Sequence, residues 1–273
     1  MPKFLIGYDV ESQDESTEIF LTAASEVHKN LEAQASIFIV GKTLERNVAV
    51  AQKVLNEGYL EFNQHTYSHV LLKTVVQENE EGITIFPSGT FEEVCEEISK
   101  GQKVLRDLLG VKGIGFTAPY NYYRGLSDRL DLLEVLRENG IKFIRSAGRN
   151  EKDWQPVPFE WQPYFYEPQG FPEILECPLH GWQDCIAREK LGWNNIDEYV
   201  KWVKKDIDYA SEKQLDFVYC SHDWSSIRHD PKLDHIAELI IYAREKGLEV
   251  ANSSTYYEEK VTERKDREEV SIY

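Results

Sequence analysis

Two histidines stand four residues apart in the stretch His65-Thr66-Tyr67-Ser68-His69, directly after a short strand-like run. On a helical turn, side chains at i and i+4 share one face and lie about 5–6 Å apart at Cβ. Imidazoles with that spacing can bind one Zn²⁺ ion at about 2.1 Å each. The spacing predicts a metal site, with a pair of structural histidines as the alternative. A metalloprotease would carry glutamate in place of Thr66, so a general base must come from elsewhere.

Other polar side chains also follow predicted strands directly. Four groups share this position: Asp9 with Glu11, His65 with His69, Pro119 with Tyr120, and His222 with Asp223. Each has a simpler interpretation, since an acidic residue at a strand exit often caps the next helix and a lone histidine is often structural. The carboxyl ends of parallel strands converge on one face, so these groups can meet in one pocket. Together they are sufficient for metal-assisted hydrolysis.

Strand-like and helix-like segments alternate along the 273 residues, without a composition break. This pattern predicts one α/β domain over residues 1–273, with a parallel sheet arranged as a barrel or doubly wound. Thr90 with Glu93 predicts a capping box before a helix that ends near residue 109. A single helix is predicted at 43–56, with Thr43 as N-cap, and an irregular segment at 70–88. No glycine-rich phosphate loop is present, which argues against nucleotide binding.

Two further segments have distinctive compositions. Residues 153–171 contain four prolines and seven aromatic residues, which is typical either of a lid or binding loop or of a segment that covers the core. Residues 258–273 begin with a dense mixture of charges and predict a solvated helix end or a frayed tail.

The formal net charge is −17, which makes nucleic acids and anionic membranes poor partners. No secretory signal and no run of about 18 apolar residues is found, so we expect a cytoplasmic protein without a membrane partner. The four cysteines lack C-x-x-C spacing and are expected as free thiols. A homo-oligomer is left open.

The motifs resemble those of the polysaccharide deacetylase family, also described as NodB homology or carbohydrate esterase family 4. His65-Thr66-Tyr67-Ser68-His69 matches the family's H-[ST]-x-x-H, residues 35–41 resemble A-[ST]-F-F-x-x-G, and residues 218–222 resemble its last motif. Asp9-Val10-Glu11 is similar to the D-x-[DE] variant of the cytoplasmic, allantoinase-like and peptidoglycan deacetylase-like branch. The resemblance implies a single-domain (β/α) barrel of the distorted, seven-stranded NodB type.

The same resemblance implies roles for individual residues. Asp9 is the general base, His222 the general acid, and the metal ligands are Glu11, His65 and His69. Zn²⁺ is the expected ion, although Co²⁺, Ni²⁺ or Fe²⁺ accepts the same ligands. The backbone N–H of Tyr120 is implied as an oxyanion donor. The predicted substrate-binding residues are Pro119, Tyr120, Trp182 and Trp224, with Tyr122, Tyr123 and His180 as further candidates.

Two departures from the family pattern concern the residues that support catalysis. The third motif, R-x-P-Y, reads Thr117-Ala118-Pro119-Tyr120, so its arginine is absent, and Arg124 or Arg145 is a candidate substitute. The fourth motif aligns near residues 143–146, without its aspartate.

The predicted function is metal-dependent hydrolysis of a C–N amide bond, which deacetylates an N-acetylated amino sugar or polysaccharide. One alternative is a ureide or cyclic-amide hydrolase of the allantoinase-like type. The other is a low-activity or non-catalytic homologue that binds carbohydrate, and the missing third-motif arginine favours this alternative.

Overall fold

A mostly parallel sheet flanked by helices forms the centre of the molecule. The computed structural model describes residues 1–270, with side chains described for residues 1–267. The strands are β1 (Lys3–Val10), β2 (Ala35–Ile39), β3 (Leu60–Gln64), β4 (Val75–Asn79), β5 (Gly82–Phe86), β6 (Gly115–Tyr123), β7 (Phe143–Arg149), β8 (Tyr164–Tyr166), β9 (Phe171–Glu176), β10 (Phe217–His222) and β11 (Glu249–Ala251). The α-helices are α1 (Ser16–Asn30), α2 (Gly41–Arg46), α3 (Val48–Glu57), α4 (Phe91–Leu109), α5 (Leu130–Glu138), α6 (Asp184–Leu191), α7 (Ile196–Lys213), α8 (Asp223–Ser226), α9 (Asp234–Glu245) and α10 (Ser253–Val270).

The main sheet has nine strands in the order β10-β1-β2-β3-β6-β7-β9-β8, and β11 pairs with the start of β1. Every neighbouring pair from β10 to β9 is parallel, whereas β8 is antiparallel to β9. The N–H of His180, after β9, donates to the carbonyl of Val218 on β10, so the two ends of the parallel path approach each other. The predicted α/β class and barrel-type arrangement are confirmed, although the described strand ladder is open between β9 and β10.

Burial on both faces explains the apolar composition of the central strands. Every residue of β1 and of β2 is buried, as is typical of parallel sheets covered by helices. The strands therefore present their polar residues at their carboxyl ends, where the candidate site lies. Among the helices of the described residues, none is long and apolar enough to cross a membrane.

The local predictions have mixed outcomes. The capping box is confirmed, because Thr90 accepts from the N–H of Glu93 and the Glu93 carboxylate accepts from the N–H of Thr90. The single helix at 43–56 is wrong: α2 ends at Arg46 and α3 begins at Val48. The irregular segment at 70–88 contains the hairpin β4–β5, and 153–171 contains β8 and a short 3₁₀ turn.

The charged C-terminal stretch lies on α10 as far as Val270. Residues 271–273, the last of the predicted tail, lie outside the described residues.

Candidate active site

Three side chains predicted as metal ligands lie together at the carboxyl ends of two strands. Glu11 follows β1, and His65 follows β3, with His69 four residues further on. The Nε2 atoms of His69 and His65 lie 2.9 and 3.6 Å from Oε2 of Glu11. All three ligand atoms lie within 4.8 Å of one another. Two imidazole nitrogens and one carboxylate oxygen form a donor set that fits a divalent metal ion.

The backbone that joins the two histidines is a loop, so the predicted helical turn is wrong. Thr66 and His69 have φ values of 59° and 66°, which lie in the left-handed region and cannot continue a helix. The hydroxyl of Thr66 accepts a hydrogen bond from the N–H of His69 at 3.0 Å and fixes this turn. The imidazoles are brought together by a tight turn, with ring centroids 4.8 Å apart.

Neighbouring residues orient two of the three ligands. The carbonyl oxygen of Thr117 accepts a hydrogen bond from Nδ1–H of His65 at 2.9 Å. In this tautomer Nε2 carries the lone pair and faces Glu11. The indole Nε1–H of Trp224 donates to Oε1 of Glu11 at 3.0 Å, so Oε2 is the oxygen that faces the histidines. Hydrogen bonds of this kind fix ligand orientation at metal sites.

The charge state of Glu11 suits a ligand. Burial raises its pKa, but the proximity of His65, His69 and His222 outweighs burial and holds the pKa well below its ordinary value. The group is therefore a carboxylate at neutral pH, the form that binds metal ions.

Two other clusters in the described residues contain possible ligand atoms, but each includes a cysteine: Asp9 with Cys220 and His222, and Asp184 with Cys185 and His222. Burial raises the pKa of the Cys220 thiol well above its ordinary value and that of Cys185 to about 12. Because the thiolate is the metal-binding form, the Glu11 cluster is the better metal site.

Asp9 is buried at the end of β1 and forms an ion pair with Arg145 of β7. Both residues are 2% exposed, and the guanidinium donates to Oδ1 of Asp9. Gly7 provides space for the arginine, because a Cβ at this position would lie 2.6 Å from Nη1 of Arg145. The guanidinium also lies over the ring of Phe38, 4.9 Å from its centroid. The pair compensates the charge of a carboxylate that is shielded from water.

Of the two candidates for the arginine missing from the third motif, Arg145 is the one that contacts Asp9. Thr117 on β6 and Arg145 on β7 are register partners, so the two positions lie side by side in the sheet. The arginine therefore lies one strand over from the motif position and still reaches Asp9. Arg124, the other candidate, lies over the ring of Tyr123 at 4.9 Å instead.

His222, at the end of β10, is held by an aspartate that the sequence motifs did not indicate. Its Nδ1 lies 2.6 Å from Oδ1 of Asp184, and its N–H donates to Oδ2 of the same residue at 2.9 Å. Burial lowers the pKa of His222, but the Asp184 charge outweighs burial and raises the pKa well above its ordinary value. The contact with Asp184 therefore favours the protonated form of the ring.

Asp9 and His222 face each other on adjacent strands. They are register partners on β1 and β10, and Nε2 of His222 lies 4.0 Å from Oδ2 of Asp9. The separation is longer than a direct hydrogen bond. Each residue is held on its far side, Asp9 by Arg145 and His222 by Asp184. The arrangement places a proton acceptor and a proton donor on opposite sides of one small space.

Comparison with protein families shows that residues 12–144 match the family described as polysaccharide deacetylase. The resemblance predicted from the motifs is thereby confirmed. The matched range contains His65, His69 and Thr117, and it ends one residue before Arg145. Comparison with curated proteins found no match.

Solved structures with the polysaccharide deacetylase fold align with nearly the whole chain. A candidate polysaccharide deacetylase from Mycobacterium smegmatis is 14% identical with a TM-score of 0.69, over 96% of this chain and 91% of that chain. PuuE allantoinase is 14% identical with a TM-score of 0.68, over 94% and 89%. A CE4 family pseudoenzyme from Bacillus anthracis is 12% identical with a TM-score of 0.57, over 93% and 66%. At these identities the likeness establishes the fold alone.

Two of the predicted substrate-binding residues, Trp224 and Tyr120, lie near the ligands. Trp224 bonds to Glu11, and its ring centroid is 5.7 Å from that of His222. Tyr120, which follows the buried Pro119, has its ring centroid 6.1 Å from that of His69.

Trp182 lies elsewhere, against Trp154 and Trp202, with centroid distances of 6.3 and 6.5 Å.

Two further substrate candidates have roles within the fold. His180 is buried, its Nδ1 accepts from the N–H of Val218, and burial lowers its pKa to about 4. The hydroxyl of Tyr122 accepts from the N–H of Leu72 at 2.7 Å, so this ring is held in the core. No described contact joins either side chain to the Glu11 cluster.

Asp184 is the residue of the candidate site that motif reasoning missed. It begins α6, a helix that the sequence analysis did not predict, and it lies far along the chain from residues 143–146, where the fourth motif was aligned. The available signal was an acidic residue that follows the strand at 171–176 through a short connection and can begin a helix.

Proposed function

We propose that this protein is a metal-dependent hydrolase of C–N amide bonds that removes the N-acetyl group from an amino sugar. The observation that carries the proposal is the opposed pair Asp9 and His222, each backed by a charged partner, beside the Glu11 cluster. If these polar residues only stabilised the fold, a protonated histidine opposite a carboxylate in one pocket would not be required.

Glu11, His65 and His69 are proposed to hold the metal ion, with Zn²⁺ expected and Co²⁺, Ni²⁺ or Fe²⁺ as alternatives. When bound, such an ion supplies Lewis-acid chemistry, which polarises a carbonyl and makes water more acidic. The donor atoms support this assignment because His65 is fixed as the tautomer with Nε2 free and Glu11 is ionised.

Asp9 is proposed as the general base that takes a proton from the attacking water. Arg145 engages Oδ1 of Asp9, so Oδ2 is the oxygen that faces His222. Because the ion pair orients Asp9, Oδ2 is proposed as the oxygen that receives the proton from the water. A positioned base of this kind contributes about 10²–10⁴-fold to the rate.

His222 is proposed as the general acid. As the C–N bond breaks, the leaving amine takes a proton from Nε2 of His222, and the products are acetate and the free amine. Asp184 holds Nδ1 and keeps the ring protonated before this step. The backbone N–H of Tyr120 is proposed to donate to the carbonyl oxygen as negative charge develops there.

Release of acetate from N-acetylglucosamine oligomers tests the proposal. The purified protein would be supplied in turn with Zn²⁺, Co²⁺ and Ni²⁺, and allantoin would be tested in parallel. Acetate release that is lost in His69→Ala supports the proposal. Ring opening of allantoin without acetate release would replace deacetylation by ureide hydrolysis. Metal binding without turnover of either substrate would indicate a non-catalytic homologue.

A further inference from the structure

A pocket of about 550 Å³ lies between α7 and the segment 156–160. Its volume is within the range of about 300–1,000 Å³ that is typical of pockets for small molecules. Helix α7 provides one wall, and residues 156–160 with Gly181 and Trp182 provide the other. Among the described lining residues, none belongs to the Glu11 cluster or to the pair Asp9 and His222. The pocket is therefore separate from the candidate active site, and the segment rich in proline and aromatic residues forms part of it.

One face of α7 presents two aromatic rings and a carboxylate to this pocket. Trp202, Asp206 and Tyr209 stand at positions i, i+4 and i+7, which share a helix face. The rings of Trp202 and Trp182 meet edge to face, with centroids 6.5 Å apart. The rings of Tyr209 and Phe159 meet in the same way at 5.6 Å. Aromatic rings from both walls therefore line the pocket that contains the Asp206 carboxylate.

The wall opposite α7 is held in place by contacts of its own. Val157 and Gly181 exchange two backbone hydrogen bonds of 2.9 Å each. The ring of Phe159 stacks on that of the buried His180, with centroids 5.3 Å apart. Gly181 has a φ value of 66°, and a Cβ at this position would lie 3.1 Å from Oδ2 of Asp206. The glycine thus allows the carboxylate to lie against the backbone of the opposite wall.

Asp206 has no partner for its charge. Among the described residues it forms no hydrogen bond and no ion pair. Burial raises its pKa to about 7, against the opposing effect of the nearby Lys205. Taking a carboxylate out of water is unfavourable unless a cation or a hydrogen-bond donor compensates its charge. A ligand that carries positively charged N–H groups would supply both.

The remaining charged groups around the pocket also favour a cation. Glu160 accepts a hydrogen bond from the hydroxyl of Tyr209, which lowers the pKa of the carboxyl group and keeps it ionised at neutral pH. Lys205 is the one basic residue among the described lining residues, and it is exposed. Burial lowers the pKa of His180, behind Phe159, to about 4, so this ring is neutral. Carboxylates therefore outnumber ammonium groups here, and the faces of aromatic rings attract cations as well.

We infer that this pocket binds a small organic ammonium ion, whose apolar body packs on Trp182 and Trp202 and whose N–H groups donate to Asp206. A protonated amine with an aromatic or alkyl tail has this chemistry. A neutral apolar molecule would leave the carboxylate without a partner, and an anion would be repelled by it. Occupancy of the pocket does not depend on the proposed deacetylase function.

Isothermal titration calorimetry with probes of similar size tests the inference. The probes are 2-phenylethylammonium, the neutral 2-phenylethanol and the anionic 3-phenylpropionate, at pH 8, which is above the raised pKa of Asp206. We expect the ammonium to bind at least about tenfold more tightly than either of the other probes. Asp206→Asn is expected to remove about tenfold of the ammonium affinity and to leave the affinity for 2-phenylethanol unchanged.

Asp208→Asn is the matched control on α7, because the Asp208 carboxylate pairs with Lys246 and does not line the pocket. Its affinity for the ammonium is expected to equal that of the unmodified protein. Trp202→Leu keeps an apolar side chain but removes the aromatic face. We expect it to weaken ammonium binding about fivefold, with a smaller effect on 2-phenylethanol.

Equal affinities for the charged and neutral probes, or no saturable binding of the ammonium, would overturn the inference. Ammonium binding that is retained in Asp206→Asn, or lost equally in Asp206→Asn and Asp208→Asn, would also overturn it. An equal loss of ammonium and 2-phenylethanol affinity in Trp202→Leu would reject the assigned contact between the cation and the ring.

Discussion

Arg145 and Thr117 are register partners on neighbouring parallel strands, and the arginine engages the buried Asp9 from its own strand. In the family motif the arginine would stand at residue 117. The absence of an arginine at residue 117 therefore does not leave Asp9 without a charged partner, because Arg145 reaches it from the neighbouring strand.

Loss of this ion pair should affect both stability and catalysis. Arg145→Met leaves the buried Asp9 without its hydrogen-bonded guanidinium partner, a loss that typically costs about 3–5 kcal/mol of unfolding free energy. We expect most of this loss to be absent when Asp9 is already Asn, because the unpaired charge is then gone. Urea unfolding of the two single variants and the double variant measures this coupling.

Arg124→Met serves as the control for Arg145→Met, since Arg124 lies over Tyr123 and not near Asp9. Its unfolding free energy and acetate release should match those of the unmodified protein. Additive effects of the Asp9 and Arg145 variants would contradict the coupling.

Asp184 should set the alkaline limit of activity. Its charge raises the pKa of His222, so the protonated acid persists above the ordinary histidine pKa and is lost as pH rises through the raised value. Asp184→Asn removes the charge but can keep a hydrogen bond. We expect the alkaline limb of the kcat profile to move to lower pH, and a limb that stays in place would reject this role.

Trp224 should tune metal affinity through Glu11. Trp224→Phe removes the indole N–H that donates to Oε1 of Glu11 and keeps an apolar ring. Loss of such a supporting hydrogen bond typically weakens metal binding about 10–100-fold. Competition with a chromophoric zinc chelator measures the change. Trp193→Phe is the control, because Trp193 packs on Trp224 at 5.9 Å without a described hydrogen bond to the cluster; equal losses in both variants would refute the assigned contact.

Asp206 should make stability fall with rising pH. Burial raises its pKa to about 7, above the value of about 3.9 expected for the unfolded chain. The folded state therefore binds the proton more tightly, and its contribution to stability is lost as pH rises between these values. Asp206→Asn should raise the melting temperature at pH 8 more than at pH 5, as differential scanning fluorimetry would measure.

Asp208 is the matched control on the same helix, because hydrogen bonding to Lys246 lowers its pKa. Asp208→Asn should give no such gain at pH 8. A melting-temperature difference for Asp206→Asn that is independent of pH would contradict the raised pKa.

The sequence predicted the parts of the site that follow strand order and motif spacing. Asp9, Glu11, His65, His69 and His222 all lie at the carboxyl ends of parallel strands, where α/β topology brings them together. This prediction required only that strands and helices alternate and that a polar residue follows each of these strands.

The remaining features depend on relationships that a one-dimensional pattern does not contain. Arg145 reaches Asp9 across the sheet because Gly7 leaves room for its guanidinium. Asp184 lies at the start of a short helix with weak periodicity. The histidine pair was assigned to a helical turn because of its i+4 spacing, but the same spacing also occurs in tight turns. Here Thr66 and His69 have left-handed backbone conformations and form such a turn.

The most direct test compares the unmodified protein with Asp9→Asn for zinc content and for acetate release from the N-acetylglucosamine tetramer. We predict one zinc ion per chain in both proteins, and turnover at least about 10²-fold slower in the variant, because only the base is removed. Equal turnover in the two proteins, or no bound metal in either, would contradict the assignment of Asp9 and the Glu11 cluster.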